Sequence, residues 1–281
     1  MDREPLTAIP GLIDVHVHIR SFDGLATLAA AGIVAARDAG LRENAASGRE
    51  NRRLLGTQPI IVSARWALYK KGRYGARFGV AVETRDEIKA EILNLKNAGA
   101  DIIKIMASGI VSLKEPGIVT AGGFTTQEIR FIVDEARRQG LNVMAHANGE
   151  EAIVSCAVAG VRSVEHGFFM TERALDALAQ QEIFWTPTVG ALARAAGSGP
   201  GREINHVPDF IGGLIRAHLA MIGRAAAVGV PLAVGTDCVL PAPDYARVYG
   251  EELGYFEQAG IAHAGVIAIA TSDGARLLGL K

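Results

Sequence analysis

Residues 11–20, GLIDVHVHIR, carry two histidines and an aspartate within an otherwise apolar stretch. Successive side chains of a β-strand point to opposite faces, so Asp14, His16 and His18 would share one face of a strand. A water-facing strand more usually carries Thr, Lys or Glu, whereas imidazoles and carboxylates are ordinary ligands of divalent metal ions. The spacing therefore predicts part of a metal site, provided that further ligands lie nearby.

Four further candidates lie at or near the ends of other apolar segments. Lys104 is a lone cation in DIIKIM, and His146, His166 and Asp237 close the segments NVMAH, VEH and LAVGTD. Alone, a histidine at a strand end is more often a hydrogen-bonded structural group, and an Asp after Gly-Thr is often a helix cap. Their joint placement at segment ends favours a common site, because the three remaining histidines lie in helical or loop segments.

A protonated Lys104 would repel the metal ions that the surrounding imidazoles could bind. The conflict is resolved if the amine is neutral and has taken up carbon dioxide, because the two oxygens of the resulting carbamate can each bind one metal. Neutral imidazoles and a carboxylate suit Zn²⁺, the expected metal, although Mn²⁺, Co²⁺ and Fe²⁺ accept the same ligands. These residue types therefore fit a centre of two divalent ions.

Eight short apolar segments are predicted to be the strands that position these residues. They begin near Leu12, Ile33, Pro59, Asp101, Asn142, Arg162, Ile183 and Leu232. Helical segments separate most of them, and parallel strands need such crossovers, so the pattern predicts an α/β fold with a single (β/α)8 TIM barrel. A doubly wound open sheet is the alternative, but it commonly has a Gly-rich phosphate turn after its first strand, where this chain has His-x-His.

Two helices have explicit start and stop signals. In segments 84–99 and 125–140, a Thr followed three residues later by Glu predicts a capping box, and a Gly ends the helix. Less sharply marked helices are predicted over 23–31, 149–159, 171–181, 209–228 and 247–259. Long connections at 38–58, 65–83, 107–124 and 187–208 each follow a strand and would gather at the C-terminal mouth of a barrel, where substrates bind.

Composition limits the class of protein. The 281 residues include 29 basic and 30 acidic side chains, and this balance argues against nucleic acid or an anionic membrane as the main partner. Two cysteines are too few for a disulfide scaffold, and no signal peptide or membrane-spanning run is predicted. We therefore predict a single domain over residues 1–281, cytoplasmic, that acts on a small molecule and can form a homo-oligomer.

Together the motifs resemble the amidohydrolase superfamily, in the branch of imidazolonepropionase-like and Xaa-Pro dipeptidase-like proteins. The matching segments are PGLIDVHVH at 10–18, DIIKIMASG at 101–109, AHANG at 145–149, VEHG at 164–167 and GTD at 235–237, in the family's order. The resemblance implies metal-dependent hydrolysis of an amide or peptide bond. Relatives usually carry a small β-sandwich beside the barrel, and we expect it to be missing because only nine residues precede Pro10.

The resemblance also implies a role for each ligand. His16, His18 and Asp237 would hold the more buried metal, His146 and His166 would hold the more exposed one, and carboxylated Lys104 would bridge the two. A hydroxide shared by the metals would attack a carbonyl that the exposed metal polarises. Asp237 would accept the proton of that hydroxide and pass it to the leaving group.

The segment 65–79, RWALYKKGRYGARFG, has five basic residues and no acid. Because it follows the third strand, it would overhang the mouth and could bind a carboxylate-bearing dipeptide or N-acyl amino acid. Arg65 and Tyr74 are the candidate substrate contacts, and a solvated basic flap is the equal alternative. Among other residues near the ligands, Asn148 and Glu150 are predicted to orient His146, and the Gly-rich segment 106–125 to form a pocket wall.

Three other functions remain open from the sequence. An ester or lactone hydrolase could use the same site. A mononuclear deaminase would use the histidines and Asp237 without needing Lys104. A non-catalytic barrel is a third possibility, although all six ligand positions are filled here. Cys238, beside Asp237, is predicted to be a small buried side chain and not a nucleophile.

Overall fold

The computed structural model describes residues 7–21, 23–43, 58–197 and 209–280. The strands in these ranges are β1 (Leu12–Ile19), β2 (Ile33–Asp38), β3 (Ile60–Ser63), β4 (Ala67–Lys70), β5 (Gly79–Val82), β6 (Ile102–Met106), β7 (Asn142–Ala147), β8 (Ser163–His166), β9 (Phe184–Thr186) and β10 (Cys238–Leu240). The helices are α1 (Asp23–Ala30), α2 (Arg85–Asn97), α3 (Thr126–Arg138), α4 (Glu150–Ala159), α5 (Glu172–Gln180), α6 (Val189–Ala195), α7 (Asp209–Val228), α8 (Tyr245–Gln258), α9 (His263–Ala268) and α10 (Gly274–Leu278). A π-helical turn, Ile269–Asp273, separates α9 from α10.

The strands form two parallel sheets whose edges adjoin. One sheet has the order β10–β1–β2–β3 and the other the order β5–β4–β6–β7–β8–β9. The amide of Asp101, just before β6, donates to the carbonyl of Ser63 at the end of β3, 2.8 Å away. Consequently β3 and β4 act as one interrupted strand, which contacts β2 through its first half and β6 through its second.

Residues 231–237 join the other edges of the two sheets. The amide of Ala233 donates to the carbonyl of Trp185 in β9, and the amide of Val15 in β1 donates to the carbonyl of Val234. These bonds measure 3.1 and 2.8 Å. The strands therefore occupy eight successive positions of a TIM-barrel-like α/β fold. The fold class predicted from the sequence is confirmed.

The predicted strand starts agree closely with the structure. Seven lie within one residue of a strand start, and the eighth, Leu232, forms an isolated parallel bridge with Trp185 before the chain continues to β10. The predicted connections 65–83 and 187–208 were wrong in part, because the first contains β4 and β5 and the second contains α6. These elements are only four to seven residues long, and the two strands flank basic sequence, so contacts with distant residues, and not a repeating pattern, define them.

Both predicted capping boxes are present, and the one at α2 provides a stability test. Thr84 Oγ1 accepts from the amide of Glu87, 3.2 Å, while the Glu87 carboxylate accepts from the amide of Thr84, 3.1 Å. The Thr84→Ala variant leaves one end of this reciprocal pair unmade, so we expect the free energy of unfolding to fall by about 1 kcal/mol. Urea unfolding would measure this fall in stability. The control is Thr27→Ala, because the Thr27 hydroxyl donates to the carbonyl of Asp23 within α1.

Among the helices in the described ranges, α7 alone has the length and composition of a membrane-spanning helix, with 20 residues and a mean hydropathy of 1.3. One side of it is buried within the domain through Ile211, Ile215 and Ile222. On the same side, His218 Nε2 donates to the carbonyl of Pro187, 3.2 Å away. A core helix of a soluble protein meets the same criteria of length and hydropathy.

Candidate metal centre

All six predicted ligands lie around one cavity of about 180 Å³. They come from five places in the fold: His16 and His18 from β1, Lys104 from β6, His146 from β7, His166 from the last position of β8, and Asp237 from the residue before β10. Because the strands are parallel, their carboxyl ends meet at one edge of the sheet. The topology therefore brings together side chains that are up to 221 residues apart, from position 16 to position 237.

Three of these residues form a compact group. The potential ligand atoms of His16, His18 and Asp237 all lie within 4.8 Å of one another. His18 Nε2 is 3.1 Å and His16 Nε2 is 3.5 Å from Asp237 Oδ1. Two imidazoles and a carboxylate at these separations can bind one divalent ion with little rearrangement.

His146 and His166 form a second group beside the first. Their ring centroids are 4.6 Å apart, and the ring of His166 lies 5.1 Å from that of His16. The division into three and two ligands is the one that the sequence predicts for two metal positions. Occupation of those positions stays a prediction.

Each of the four imidazoles has a ring nitrogen within hydrogen-bond distance of a protein oxygen that does not belong to a predicted ligand. The pairs are His16 Nδ1 with Glu165 Oε2 (2.8 Å), His18 Nδ1 with the Gly40 carbonyl (2.7 Å), His166 Nδ1 with Thr188 Oγ1 (2.7 Å) and His146 Nε2 with the Gly109 carbonyl (2.9 Å). When that nitrogen is the donor, the other ring nitrogen has the lone pair that a metal ligand needs. The surroundings therefore select Nε2 of three histidines and Nδ1 of His146 for metal binding.

A buried ion pair lies behind His16, and sequence analysis missed it. Glu165 Oε1 accepts from Arg37, 2.8 Å, and both side chains are fully buried. Arg37 also donates to the carbonyl of Val15, 2.6 Å, and to Ser163 Oγ, 2.9 Å. Burial alone would raise the pKa of Glu165, but the Arg37 charge and the His16 hydrogen bond outweigh it and hold this pKa well below its usual range. A lone arginine in an apolar strand was the sequence signal for this pair.

Asp14 anchors the segment that carries Asp237 and does not line the cavity. Its carboxylate accepts from Thr236 Oγ1, 2.7 Å, from the Tyr245 hydroxyl, 2.8 Å, and from the amide of His16, 3.0 Å. Burial raises the pKa of Asp14 to about 6, although these hydrogen bonds act in the opposite direction. Sequence analysis placed Asp14 on the same strand face as the two histidines. In the structure, its side chain links β1 to the loop before β10.

Lys104 is buried in the cavity wall, and its ammonium nitrogen has no hydrogen-bond partner among the described residues. Burial lowers the pKa of this amine to about 8, so roughly a tenth of it is neutral at pH 7. Burial and then the Lys104 charge lower the pKa of His16 to about 4 and that of His146 to about 3. A buried amine that lacks a hydrogen-bond partner and lies beside neutral imidazoles is suited to form a carbamate. The oxygens of that carbamate would then be ligands for a divalent metal.

The backbone at the rim of the site adopts a conformation that is rare for residues other than glycine. His166, Thr188 and Asp237 have φ values of +66°, +48° and +52°. Such left-handed conformations cost about 1 to 3 kcal/mol each and cluster at functional sites. Two of these residues are predicted ligands, and the third contacts the ring of His166.

The two predicted substrate contacts have different positions. Tyr74 lines the cavity, with its ring 5.3 Å from that of His146, and burial raises the pKa of its hydroxyl. Arg65 does not line it: the side chain is buried at the break between β3 and β4, where φ is +63°. The interpretation of residues 65–79 as one basic loop is corrected, because β4 occupies residues 67–70 and β5 begins at Gly79. Two of its lysines pair with carboxylates, Lys70 with Glu128 and Lys71 with Glu83.

Two residues were predicted to orient His146, and one of them, Asn148, lies beside its ring. Asn148 Nδ2 donates to the Gly109 carbonyl, 3.2 Å, and lies 3.3 Å from His146 Nε2. Glu150 instead accepts from Thr171 Oγ1, 2.6 Å, on the side of α5. The helical direction of α4 turns Glu150 away from the strand end, and the sequence spacing alone did not reveal this.

Neither cysteine has the environment of a nucleophile. Cys156 and Cys238 are both buried and free. Burial raises the pKa of the Cys238 thiol to about 11 and that of Cys156 to about 12, so both stay protonated near neutral pH. This agrees with the prediction of a small buried side chain at Cys238.

The model of the amidohydrolase family matches residues 7–281. This chain belongs to the amidohydrolase family. The family predicted from the sequence is thereby confirmed, and a family that uses divalent metals agrees with the donor groups around the cavity.

Several known proteins are similar to this amidohydrolase. Aspergillus niger ochratoxinase is 27% identical over 168 residues, which cover 60% of this chain and 35% of the ochratoxinase. A solved Xaa-Pro dipeptidase with bound methionine is 23% identical, with a TM-score of 0.75 over 96% of this chain and 75% of that chain. A second solved amidohydrolase is 25% identical, with a TM-score of 0.76 over 97% and 75%. The chain therefore matches about a third of the ochratoxinase, and the likeness to the dipeptidase concerns the fold.

Proposed function

We propose that this amidohydrolase cleaves the amide bond of a dipeptide or N-acyl amino acid at a centre of two divalent metal ions. The observation that carries the proposal is the meeting of four imidazoles, a carboxylate and a buried amine around one cavity. The family, and relatives named as a dipeptidase and an ochratoxinase, support hydrolysis of carbon–nitrogen bonds. A small-molecule substrate and a cytoplasmic location belong to the same proposal.

The residues would divide between two metal positions. His16, His18 and Asp237 would hold one ion, and His146 and His166 the other, with a carbamate on Lys104 shared between them. Burial is the largest cause of the lowered pKa values of His16 and His146, and it favours the neutral imidazoles that metal binding requires. When bound, two such ions, Zn²⁺ by preference, would supply a bridging hydroxide at neutral pH and polarise the substrate carbonyl.

Asp237 would move the proton. Its carboxylate lies between the His16 and His18 rings, and its side chain is 26% exposed, so a substrate can reach it. His18, which bonds Asp237 through Nε2, is itself fixed through Nδ1 by the Gly40 carbonyl. In this position Asp237 can accept a proton from the nucleophile and return it to the leaving nitrogen.

Tyr74 and Arg77 would receive the amine side of the substrate. The Tyr74 hydroxyl group is close enough to both Asp237 and Arg77 for their charges to act on its pKa in opposite directions. Arg77 is exposed, whereas the cavity wall in the described residues contains no arginine. A substrate carboxylate, if present, would therefore lie at the rim beside Arg77 and not in the cavity.

The Asp237→Asn variant tests the proposal. Asn cannot accept the proton, so we expect kcat on cleaved amides to fall by about 10²- to 10³-fold while the protein stays folded. The measurement is hydrolysis of a panel of dipeptides and N-acyl amino acids by Zn²⁺-loaded protein, with metal content determined in parallel. The Asp244→Asn variant, which changes an exposed aspartate on α8's N-terminal side, is the control. Absence of hydrolysis across the panel by metal-loaded wild-type protein would contradict the proposal.

A further inference from the structure

We infer that the cavity binds an uncharged, apolar acyl group, and that the wall around Leu113 determines this specificity. The inference rests on the proposed amide hydrolysis and names the group that the enzyme selects. It concerns the acyl side of the substrate, because Asp237 would donate to the leaving amine and the amine side therefore lies next to Asp237. The acyl side is directed to the remaining wall of the cavity.

That wall is almost entirely apolar. Apart from the six predicted ligands, the described cavity lining has one amide side chain, Asn148, and ten apolar or aromatic residues. One of the ten, Tyr74, would contact the amine side, and the other nine are Phe78, Met106, Ile110, Val111, Leu113, Phe168, Ala191, Leu192 and Ala195. A carboxylate or ammonium placed against them would lose hydration without gaining a partner, whereas an alkyl or aryl group would be stabilised by burial.

Two elements build most of the wall. One is a hairpin-like loop in which Val111 bridges Val119 in antiparallel fashion, and the Ser112 amide donates to the Ile118 carbonyl, 2.8 Å. The other is α6, which contributes Ala191, Leu192 and Ala195 to the cavity. Phe168 lies beside them, with its ring stacked at 11° on that of His166. The apolar surface thus begins directly at the ligand group that would polarise the carbonyl.

The loop presents apolar side chains to solvent where they face the cavity mouth. Ile110 and Leu113 line the cavity and are 40% and 38% exposed. A bound apolar group would cover this surface, which offers a reason for apolar residues at these exposed positions. The cavity of about 180 Å³, similar in volume to one that holds benzene, would also contain the metal ions and the scissile amide, so the expected acyl group is no larger than about a phenyl ring or a six-carbon chain.

The test compares N-acyl-L-alanines whose acyl groups are acetyl, butanoyl, hexanoyl and adipoyl, the last having the hexanoyl length and a terminal carboxylate. We expect kcat/KM to rise about fourfold per added methylene up to hexanoyl. Adipoyl should be at least about tenfold poorer than hexanoyl. Equal or faster cleavage of the adipoyl compound by the wild-type enzyme would overturn the inference and leave the proposed hydrolysis intact.

A pair of matched variants assigns the specificity to the wall. Leu113→Lys introduces a cation at the cavity, so the ratio of hexanoyl to adipoyl kcat/KM should fall by at least about tenfold. Ile118→Lys introduces the same charge on the same loop, at a residue that is 45% exposed and does not line the cavity. It should leave the ratio within about twofold. An equal change in both variants would refute a specific role for the wall.

Binding without turnover separates the inference from the proposed function. Calorimetry with the Asp237→Asn protein should give tighter binding of the hexanoyl than of the adipoyl compound, by about tenfold or more. If no compound is hydrolysed by the metal-loaded wild-type enzyme but hexanoyl binding is preferred, the proposed function fails and the apolar site stands. If adipoyl binds as well as hexanoyl, the apolar site is refuted.

Discussion

The Lys104→Ala variant should lose at least one of about two bound metal ions per chain and nearly all hydrolytic activity. The carbamate proposed on Lys104 is the group shared by both metal positions, and Asp237 is the one carboxylate among the described residues that line the cavity. Loss of a metal removes several kcal/mol of transition-state stabilisation, so kcat/KM should fall at least about 10⁴-fold. Metal analysis after Zn²⁺ loading, together with amide hydrolysis, measures both effects.

The control for this variant is Lys114→Ala, which removes an exposed lysine from the loop over the same cavity. It should leave metal content and hydrolysis unchanged. A stoichiometry near one metal per chain in both wild-type and Lys104→Ala protein would instead favour the mononuclear deaminase. Retention of two metals in the variant would show that Lys104 does not bridge them.

The Arg37→Met variant should lose about 3 to 5 kcal/mol of the free energy of unfolding. Arg37 and Glu165 are both fully buried, and removal of the guanidinium leaves the Glu165 carboxylate without its charged partner. Glu165 would then be stabilised only by Ser163 and by His16, which needs its other ring nitrogen for the predicted metal. Urea unfolding of the metal-free protein measures this loss independently of ligand binding.

Two comparison variants isolate the buried pair. In Arg37→Met/Glu165→Gln no charge is left unpaired, so the double variant should be more stable than Arg37→Met alone. Arg247→Met breaks an exposed pair with Asp244 and should change the free energy of unfolding by less than about 0.5 kcal/mol. A loss in Arg37→Met no larger than in Arg247→Met would contradict the structural role of the pair.

Local sequence patterns predicted most of the strands and helices. Thr84 and Glu87 begin α2 where the capping box predicts, and β1 spans residues 12–19 as the apolar pattern indicates. The short strands β4 and β5 escaped prediction because they flank the basic, glycine-containing part of segment 65–79, and their hydrogen bonds go to residues distant in sequence. Their existence depends on the neighbouring strand and not on local preference.

Substrate recognition could not be inferred from charge in the sequence. The basic residues of segment 65–79 suggested a carboxylate site, but Arg65 is buried away from the cavity and Lys70 pairs with Glu128. The apolar residues Leu113 and Leu192, from separate segments, form the wall instead. Which side chains face a cavity is set by strand pairing and helix packing, so a segment's composition does not decide it.

By itself, the sequence determined the ligand types, their order along the chain and the strand ends that carry them, because the alternation of strands and the caps of helices are local properties. Only the tertiary structure decided which ring nitrogen of each histidine is available, through partners such as Glu165, Gly40 and Gly109. It also decided that Lys104 is buried without a hydrogen-bond partner among the described residues, and that apolar side chains line most of the rest of the cavity. Those properties depend on distances between residues far apart in the chain, which local sequence patterns do not encode.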